Sequence, residues 1–164
     1  MDMFLTIFIK SVWCGIAALG FGVLFNTPPR SLLAIWFGGF SAGFVKYGTM
    51  TLFPEMGIIM SSFLAALIVG FTSIPMAHWR HVPPVIFSIP SVIPLVPGIY
   101  AYRAMLGLMQ LTRAGNEKFG EVAQSTVYNA VTTFFVVMVL ALGVVLPMYL
   151  LRKESVKKIR WGNW

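Results

Sequence analysis

Two long segments without a charged residue limit what this chain can fold into. Residues 56–77 and 125–151 contain no Asp, Glu, Lys or Arg. A helix needs about 20 mostly apolar residues to cross a bilayer, so each segment is long enough for one membrane span. The composition agrees, because 58% of the residues are hydrophobic and only 10% are charged, against about 25% charged in a typical soluble domain. The sequence therefore predicts an all-α, polytopic membrane helix bundle.

The hydropathy pattern predicts about five spans within a single transmembrane domain of residues 1–164. The spans cover residues 4–25, 32–52, 56–77, 82–109 and 125–151. An alternative with four spans stays open, because residues 32–52 are rich in glycine and include Lys46. In that case this segment is re-entrant or interfacial. The connections are too short for a separate soluble domain.

Basic residues exceed acidic residues, with 12 Lys and Arg against five Asp and Glu. In a soluble protein this excess would indicate nucleic acid, but here the apolar runs are too long, so we expect no nucleic-acid partner. Basic residues near the ends of spans favour the cytoplasm. Placing Arg30, Arg80 and a basic tail at residues 152–164 in the cytoplasm accounts for most of them. The pattern predicts a multi-pass inner-membrane protein whose C-terminus is cytoplasmic and, with five spans, whose N-terminus is outside.

Small residues form a stripe in two of the predicted spans. Gly39 and Gly43 are four positions apart in the second, and Ser62, Ala66 and Gly70 repeat the spacing in the third. Such stripes let another helix approach closely. Either packing within the bundle or a subunit interface is consistent with this pattern.

The last span begins with a polar stripe. Ser125, Asn129 and Thr132 recur at helical spacing, and Thr133 is adjacent. Because a polar side chain facing hydrocarbon is costly, this face is predicted to look inward. It is either interhelical hydrogen-bonding glue or the wall of a hydrophilic pathway. Asn129 is the candidate substrate contact, since its amide both donates and accepts.

Prolines interrupt the apolar segment 82–109 repeatedly, at positions 83, 84, 90, 94 and 97, and Gly98 follows. Each proline removes a backbone donor and disfavours helix in the residue before it, so this span is predicted to be broken. Irregular backbone at membrane depth needs cover from protein or a water-filled cavity, and broken helices line substrate sites in transporters. We expect a helix to restart after Pro97, with the amides of Ile99 to Tyr102 directed into the break. The candidate substrate-binding residues here are Pro94, Pro97, Gly98, Tyr100 and Tyr102.

Three cations lie inside predicted spans: Lys10 near the start of the first, Lys46 deep in the second, and Arg103 one turn into the helix that restarts after the break. Lys46 and Arg103 are the two that need a neutralising partner. No Asp or Glu lies in the middle of any span, and an unpaired charge at that depth is expensive. A carboxylate of a partner chain, an anionic substrate, or snorkelling to the membrane surface would each neutralise them. If they face the interior, a carboxylate-bearing substrate is the natural ligand, since Arg binds a carboxylate with two parallel hydrogen bonds.

Enzyme and cofactor chemistry are not predicted. The sequence contains no HExxH, P-loop or GxGxxG motif, and the two histidines lie together beside a predicted loop. The single cysteine, Cys14, lies in an apolar run and is interpreted as a buried free thiol. We therefore expect no catalytic residue, no metal site and no cofactor.

Two stretches of the sequence resemble the small subunit of the threonine/serine exporter family (ThrE-like). The first is Gly20-Phe21-Gly22-Val23-Leu24-Phe25-Asn26-x-Pro28-x-Arg30, and the second is Ile93-Pro94-x-x-Pro97-Gly98-Ile99-x-Ala101-Tyr102-x-Ala104-Met105. The resemblance implies a structural turn at Asn26, Pro28 and Arg30. It also supports Pro94, Pro97, Gly98, Ala101 and Tyr102 at the break, whereas Arg103 rests on the charge argument alone.

The resemblance also implies an activity and a partner. Members export small hydroxy amino acids, some two-subunit members are linked to dicarboxylate (succinate) export, and the small subunit acts with a larger polytopic membrane subunit. This predicts a subunit of an inner-membrane exporter for small anionic or zwitterionic, carboxylate-containing metabolites. The alternative is a non-transporting membrane subunit that stabilises or regulates a partner.

Overall fold

The computed structural model describes residues 2–112 and 116–151, and within them every regular element is helical. The six α-helices of this part are α1 (Asp2–Leu24), α2 (Pro29–Leu52), α3 (Gly57–Arg80), α4 (Val85–Val92), α5 (Gly98–Leu111) and α6 (Asn116–Leu150). Short 3₁₀ turns lie at Pro54–Met56 and Ile93–Leu95. The predicted all-α bundle is confirmed. The predicted basic tail at residues 152–164 lies outside the described residues.

Helices α1 and α2 form an antiparallel hairpin that is packed along most of its length. Near the turn, Gly22 lies against Ile35, and toward the other end Gly43 lies against Cys14. A methyl group on Gly39 would come within 2.9 Å of the Cys14 carbonyl oxygen. The small residues of α2 therefore serve close packing on α1.

The turn between α1 and α2 contains Asn26 and Pro28 of the predicted structural turn, whereas Arg30 lies in the first turn of α2. Asn26 has a positive φ of 53°, a conformation in which Asn is several-fold enriched. The Thr27 amide and hydroxyl both donate to the Gly22 carbonyl, at 3.1 and 2.8 Å. Pro28 immediately precedes α2, and Arg30 is exposed in its first turn.

The second stripe of small residues packs against α6. A methyl group on Gly70 would lie 3.0 Å from the Gly143 carbonyl oxygen, and one on Gly143 would lie 2.7 Å from the Ala66 methyl. Ser62 is fully buried in the same helix. The glycines of both stripes thus contact other helices of this chain. This favours packing within the bundle over a subunit interface.

Helix α4 lies against α1, α2 and α3, whereas α5 packs mainly on α6. Two apolar clusters fill the space around α4. One contains Phe87 of α4 with Ile35 of α2, and the other contains Val92 and Leu95 with Val136 of α6. The break after α4 is therefore held by the core of the bundle.

The predicted broken span is confirmed. The segments Val85–Leu95 and Gly98–Leu111 meet at an angle of 57°. Pro94 lies in the 3₁₀ turn and Pro97 precedes α5, where a proline's missing N–H costs nothing. Pro90 lies inside α4, so the prolines that cause the bend are those at the end of this short helix.

Within the described residues, three helices are long and apolar enough to cross a membrane: Met3–Leu24, Pro54–Arg80 and Phe119–Leu150. The bent pair Val85–Leu95 and Gly98–Leu111 makes up to a fourth. Helix α2 is less apolar, although its 24 residues extend for about 36 Å, more than the hydrocarbon core of a bilayer. The number of spans thus remains approximate, with α2 separating the four-span and five-span alternatives.

Candidate functional site

The side chain of Lys46 is buried where α2 meets the break in the fourth span. Only 6% of the residue is exposed. Its Nζ donates a hydrogen bond of 2.6 Å to the carbonyl oxygen of Leu95, which lies 49 positions away in sequence. The structure thus brings the predicted intramembrane lysine to the predicted break.

The break makes this carbonyl available. In a continuous helix the Leu95 carbonyl would accept from the amide of Ile99, four residues on. Instead the chain becomes extended at Val96, and α5 starts after Pro97 in a new direction. The C-terminal end of a helix carries partial negative charge on its unsatisfied carbonyls. The ammonium of Lys46 is therefore stabilised by the end of the α4 segment, a partner that the sequence argument did not include.

This stabilisation leaves the charge of Lys46 without a counter-ion. An ammonium group has three donors, and within the described residues the Leu95 oxygen is the one hydrogen-bond acceptor that it contacts. No carboxylate among these residues forms an ion pair with it. Because a buried, uncompensated cation is costly, the site favours the approach of an anion.

Tyr47 and Cys14 lie beside Lys46 and were missed as candidate site residues. The Tyr47 side chain is close enough to the Cys14 side chain for a polar contact, and Cys14 is close enough to Lys46 for an electrostatic interaction. Lys10 of α1 lies 5.3 Å from the centre of the Tyr47 ring, within the range of a cation–π contact. The antiparallel pairing of α1 and α2 places these residues together, and no local motif indicates it.

The residues of the break itself are arranged differently from the prediction. Pro97 is buried and Gly98 is exposed. The amides of Tyr100 and Ala101 donate to the Pro97 carbonyl, at 3.0 and 3.2 Å. The amides of Ile99 to Tyr102 were expected to be free. This expectation is wrong for Tyr100 and Ala101, because the Pro97 carbonyl accepts from both amides. Pro94 is half-buried.

Three other predicted site residues lie on the exterior of this chain. Tyr102 and Arg103 are exposed on α5, and Tyr100 is half-buried there. Since α5 packs mainly on α6, these side chains belong to a different part of the bundle from Lys46. Their binding roles remain predictions.

In the polar stripe of the first half of α6, Thr132 is buried, whereas the other three residues bond to the backbone of their own helix. The Asn129 Nδ2 donates to the Ser125 carbonyl at 2.7 Å, and the Thr133 hydroxyl donates to the Asn129 carbonyl at 2.8 Å. The Ser125 hydroxyl likewise bonds to the carbonyl of Val122 in its own helix. These bonds are not interhelical glue, and Asn129 is half-buried at the side of the helix.

A serine on α4 joins this helix to α2. The Ser91 hydroxyl lies 2.7 Å from the Phe87 carbonyl and 3.2 Å from the Ile35 carbonyl of α2. It faces Gly38, where a methyl group would collide with it. Sequence reasoning missed Ser91, whose place is set by this crossing of α2 and α4.

The order Gly39-Phe40-Ser41-Ala42-Gly43 has the spacing of a GxSxG nucleophile motif, but its structural setting is different. That motif needs a strand, a sharp turn and a helix, whereas these residues lie in the middle of α2. The Ser41 hydroxyl donates to the Gly38 carbonyl at 2.9 Å. Within the described residues there is also no group of three or more potential metal ligands.

Two grooves on the surface are apolar and lie away from Lys46. One of about 200 Å³ is lined by Phe25, Thr27, Val85, Ile86, Ile89 and Pro90. The other, of about 580 Å³, is lined by Leu19, Pro29, Leu32, Leu33, Trp36 and Phe37. Their apolar linings suit lipid chains better than a polar metabolite.

The chain matches the profile of a protein family and is similar in sequence to a curated protein. The profile of the family described as "Threonine/Serine exporter, ThrE" matches residues 10–150. An uncharacterized protein of Haemophilus influenzae is 26% identical over 149 residues, which are 88% of this chain and 47% of that protein. The chain thus spans about half the length of the curated relative. No solved structure matches the chain.

Proposed function

The chain belongs to the threonine/serine exporter family, and from this premise we propose that it is one subunit of an inner-membrane exporter for small carboxylate-containing metabolites. The family is one of transporters and not of enzymes. The substrates that we propose are amino acids like threonine and serine, or a dicarboxylate such as succinate. A larger polytopic membrane subunit supplies the rest of the exporter.

The observation that carries this proposal is the Lys46 ammonium at the Leu95 carbonyl. A substrate carboxylate that reaches the break accepts hydrogen bonds from the remaining donors of Lys46. Such charge-assisted bonds are stronger than neutral ones, and they also relieve the cost of a buried, unpaired cation. The site is therefore selective for an anionic group.

The hairpin geometry supports five spans in this proposal. Helix α2 runs antiparallel to α1 from Gly22 beside Ile35 to Gly43 beside Cys14, and α1 is long and apolar enough to cross a membrane. A helix that packs alongside a spanning helix over this distance crosses the bilayer as well. With α2 as a span, the N-terminus lies outside and the C-terminus in the cytoplasm.

Two observations support the larger subunit. The chain spans about half the length of its curated relative, so the remainder of such a protein has no counterpart in these 164 residues. Helix α5 also leaves Tyr102 and Arg103 exposed, which is costly for Arg103 if the helix faces hydrocarbon. A second membrane chain covers this surface in the proposed exporter.

Export from cells that lack the native chain tests the proposal. We expect Lys46→Gln to reduce the efflux of threonine and succinate at normal protein level, because it removes the charge and keeps a donor. Lys46→Arg should retain part of the efflux, and Arg80→Gln is the control, since Arg80 stacks on Trp79 at the end of α3. Full efflux from the Lys46→Gln variant would contradict the site.

A second candidate is a membrane subunit that stabilises or regulates a partner without transporting. The exposed Tyr102 and Arg103 on α5 favour it, because they offer a surface for another chain. Deleting this chain while keeping the larger subunit at its normal level distinguishes the two. Export that continues supports the regulatory role, and export that stops supports the exporter.

A further inference from the structure

Four side chains form a polar cluster between α1 and α2, which we call the two-lysine cluster: Lys10, Cys14, Lys46 and Tyr47. Lys10 lies 5.3 Å from the centre of the Tyr47 ring. Cys14 lies against Gly43, one turn before Tyr47 in α2, and its side chain is close enough to that of Tyr47 for a polar contact. Lys46, the neighbour of Tyr47 in sequence, reaches the Leu95 carbonyl at the break. Tyr47 and Cys14 thus connect the two cations.

The cluster runs from the outside of the bundle to its interior. Lys10 is exposed, Tyr47 is half-buried and Lys46 is almost completely buried. By the rise of an α-helix, Lys10 lies about 12 Å from the start of α1 and Lys46 about 9 Å from the end of α2. Because α1 and α2 are antiparallel, both lysines lie at a similar depth below the same end of the hairpin.

Neither lysine has a counter-ion in the described part of the chain. Lys10 contacts the face of an aromatic ring and Lys46 contacts a backbone carbonyl. Both partners are neutral groups. An anion would replace either of them, because an ionised acceptor forms the stronger hydrogen bond with a cation.

We propose that Lys10 and Lys46 are successive binding positions for one carboxylate group, which passes from Lys10 at the edge of the bundle to Lys46 at the break. The Tyr47–Cys14 contact lies between the two positions and must open as the carboxylate passes. The identification of this anion with the exported metabolite rests on the proposed function. The anion site itself does not.

Cys14 is the one cysteine of the chain, so it reports on this cluster without an engineered residue. Membranes that contain the native protein are treated with two methanethiosulfonate reagents of similar size, one bearing a sulfonate and one a trimethylammonium group. Modification of Cys14 is followed by mass spectrometry of its peptide. Each rate is divided by the rate of the same reagent with a small free thiol, which removes the intrinsic difference between the reagents.

We expect the normalised rate of the sulfonate reagent to exceed that of the cationic reagent at least about tenfold, the scale of about 1.4 kcal/mol. Lys10→Gln should lower this ratio at least about threefold, whereas Lys10→Arg should retain it. Lys10 is exposed, so neither variant removes a buried contact. Arg103→Gln is the matched control, because it removes an in-span cation from α5, whose main packing partner is α6.

Three results would overturn the proposal: a ratio near one, a ratio unchanged by Lys10→Gln, or a Cys14 that neither reagent modifies. The ratio is insensitive to changes in the reactivity of the thiol itself, since these affect both reagents alike. Labelling also requires no transport. A sulfonate preference in a protein that exports nothing would contradict the proposed function and leave the anion site standing.

Discussion

Lys46 and Arg103, two of the cations within the apolar segments of this chain, lie in regions that satisfy them differently. Lys46 is buried between α2 and the end of the α4 segment, where a backbone carbonyl accepts its hydrogen bond. Arg103 lies exposed on α5, a helix that packs mainly on α6. The segment before the break thus stabilises Lys46, whereas Arg103, on the helix after the break, stays exposed. The first region supports a substrate site within this chain, and the second supports a surface for another chain.

The largest expected effect separates the two cations directly. Lys46→Met should reduce efflux at least about tenfold, whereas Arg103→Met should reduce it at most about threefold, because only Lys46 lies at the break. Removing a buried cation that has no counter-ion relieves a desolvation cost and offsets the loss of its hydrogen bond to the Leu95 carbonyl, so the Lys46→Met protein should melt close to the wild type. Efflux assays and a thermal melt in detergent check both outcomes. Equal losses of efflux from the two variants would remove the distinction.

The next effect concerns the packing that holds Lys46 in place. Gly39→Ala should destabilise the hairpin by about 1–3 kcal/mol, the range for overpacking a close contact, because its methyl group meets the Cys14 carbonyl at 2.9 Å. Gly48→Ala is the matched control, since a methyl group there has no neighbour within 4 Å. Thermal melts of the two variants measure the difference. Equal melting temperatures would contradict the close approach of α1 and α2.

A smaller effect is expected at the break. Pro97→Ala restores a backbone donor and permits α5 to extend backward. The Ile99 amide then donates to the Leu95 carbonyl and competes with Lys46 for this acceptor. Efflux should fall about three- to tenfold at normal protein level. Unchanged efflux would show that the bend does not control the Leu95 carbonyl.

The smallest effect is expected on α6, the helix that packs on α5. Asn129→Ala removes an amide that bonds to the backbone of its own helix, so efflux should stay within about twofold of wild type, and alanine's higher helix propensity offsets the lost bond. A tenfold loss would instead place Asn129 in the pathway, as the sequence prediction had it. The efflux assay is the same as for Lys46.

Sequence reasoning reached the local features of this fold. Pro94 and Pro97 predicted the break because a proline acts on its own backbone and on the residue before it. The glycines at positions 39 and 43 predicted a close helix contact because their spacing places them on one face. Each of these arguments needs only neighbours in sequence.

The features that it missed depend on contacts between distant segments. The partner of Lys46 is a carbonyl 49 residues away, and the pairing of Tyr47 with Lys10 follows from the register of the hairpin. The amides of Tyr100 and Ala101 were expected to be free, but the Pro97 carbonyl accepts from both. Side chains can also bond to their own helix, as Asn129 does, and the sequence does not distinguish this from an interhelical bond.

The central claim is that Lys46 receives the substrate's carboxylate. The most direct test is equilibrium binding to the purified native exporter, comparing threonine with threoninamide in wild-type protein and in Lys46→Met. Wild type should prefer the carboxylate at least about tenfold, equivalent to about 1.4 kcal/mol, and Lys46→Met should lose this preference. An equal preference in both proteins would show that the carboxylate binds elsewhere.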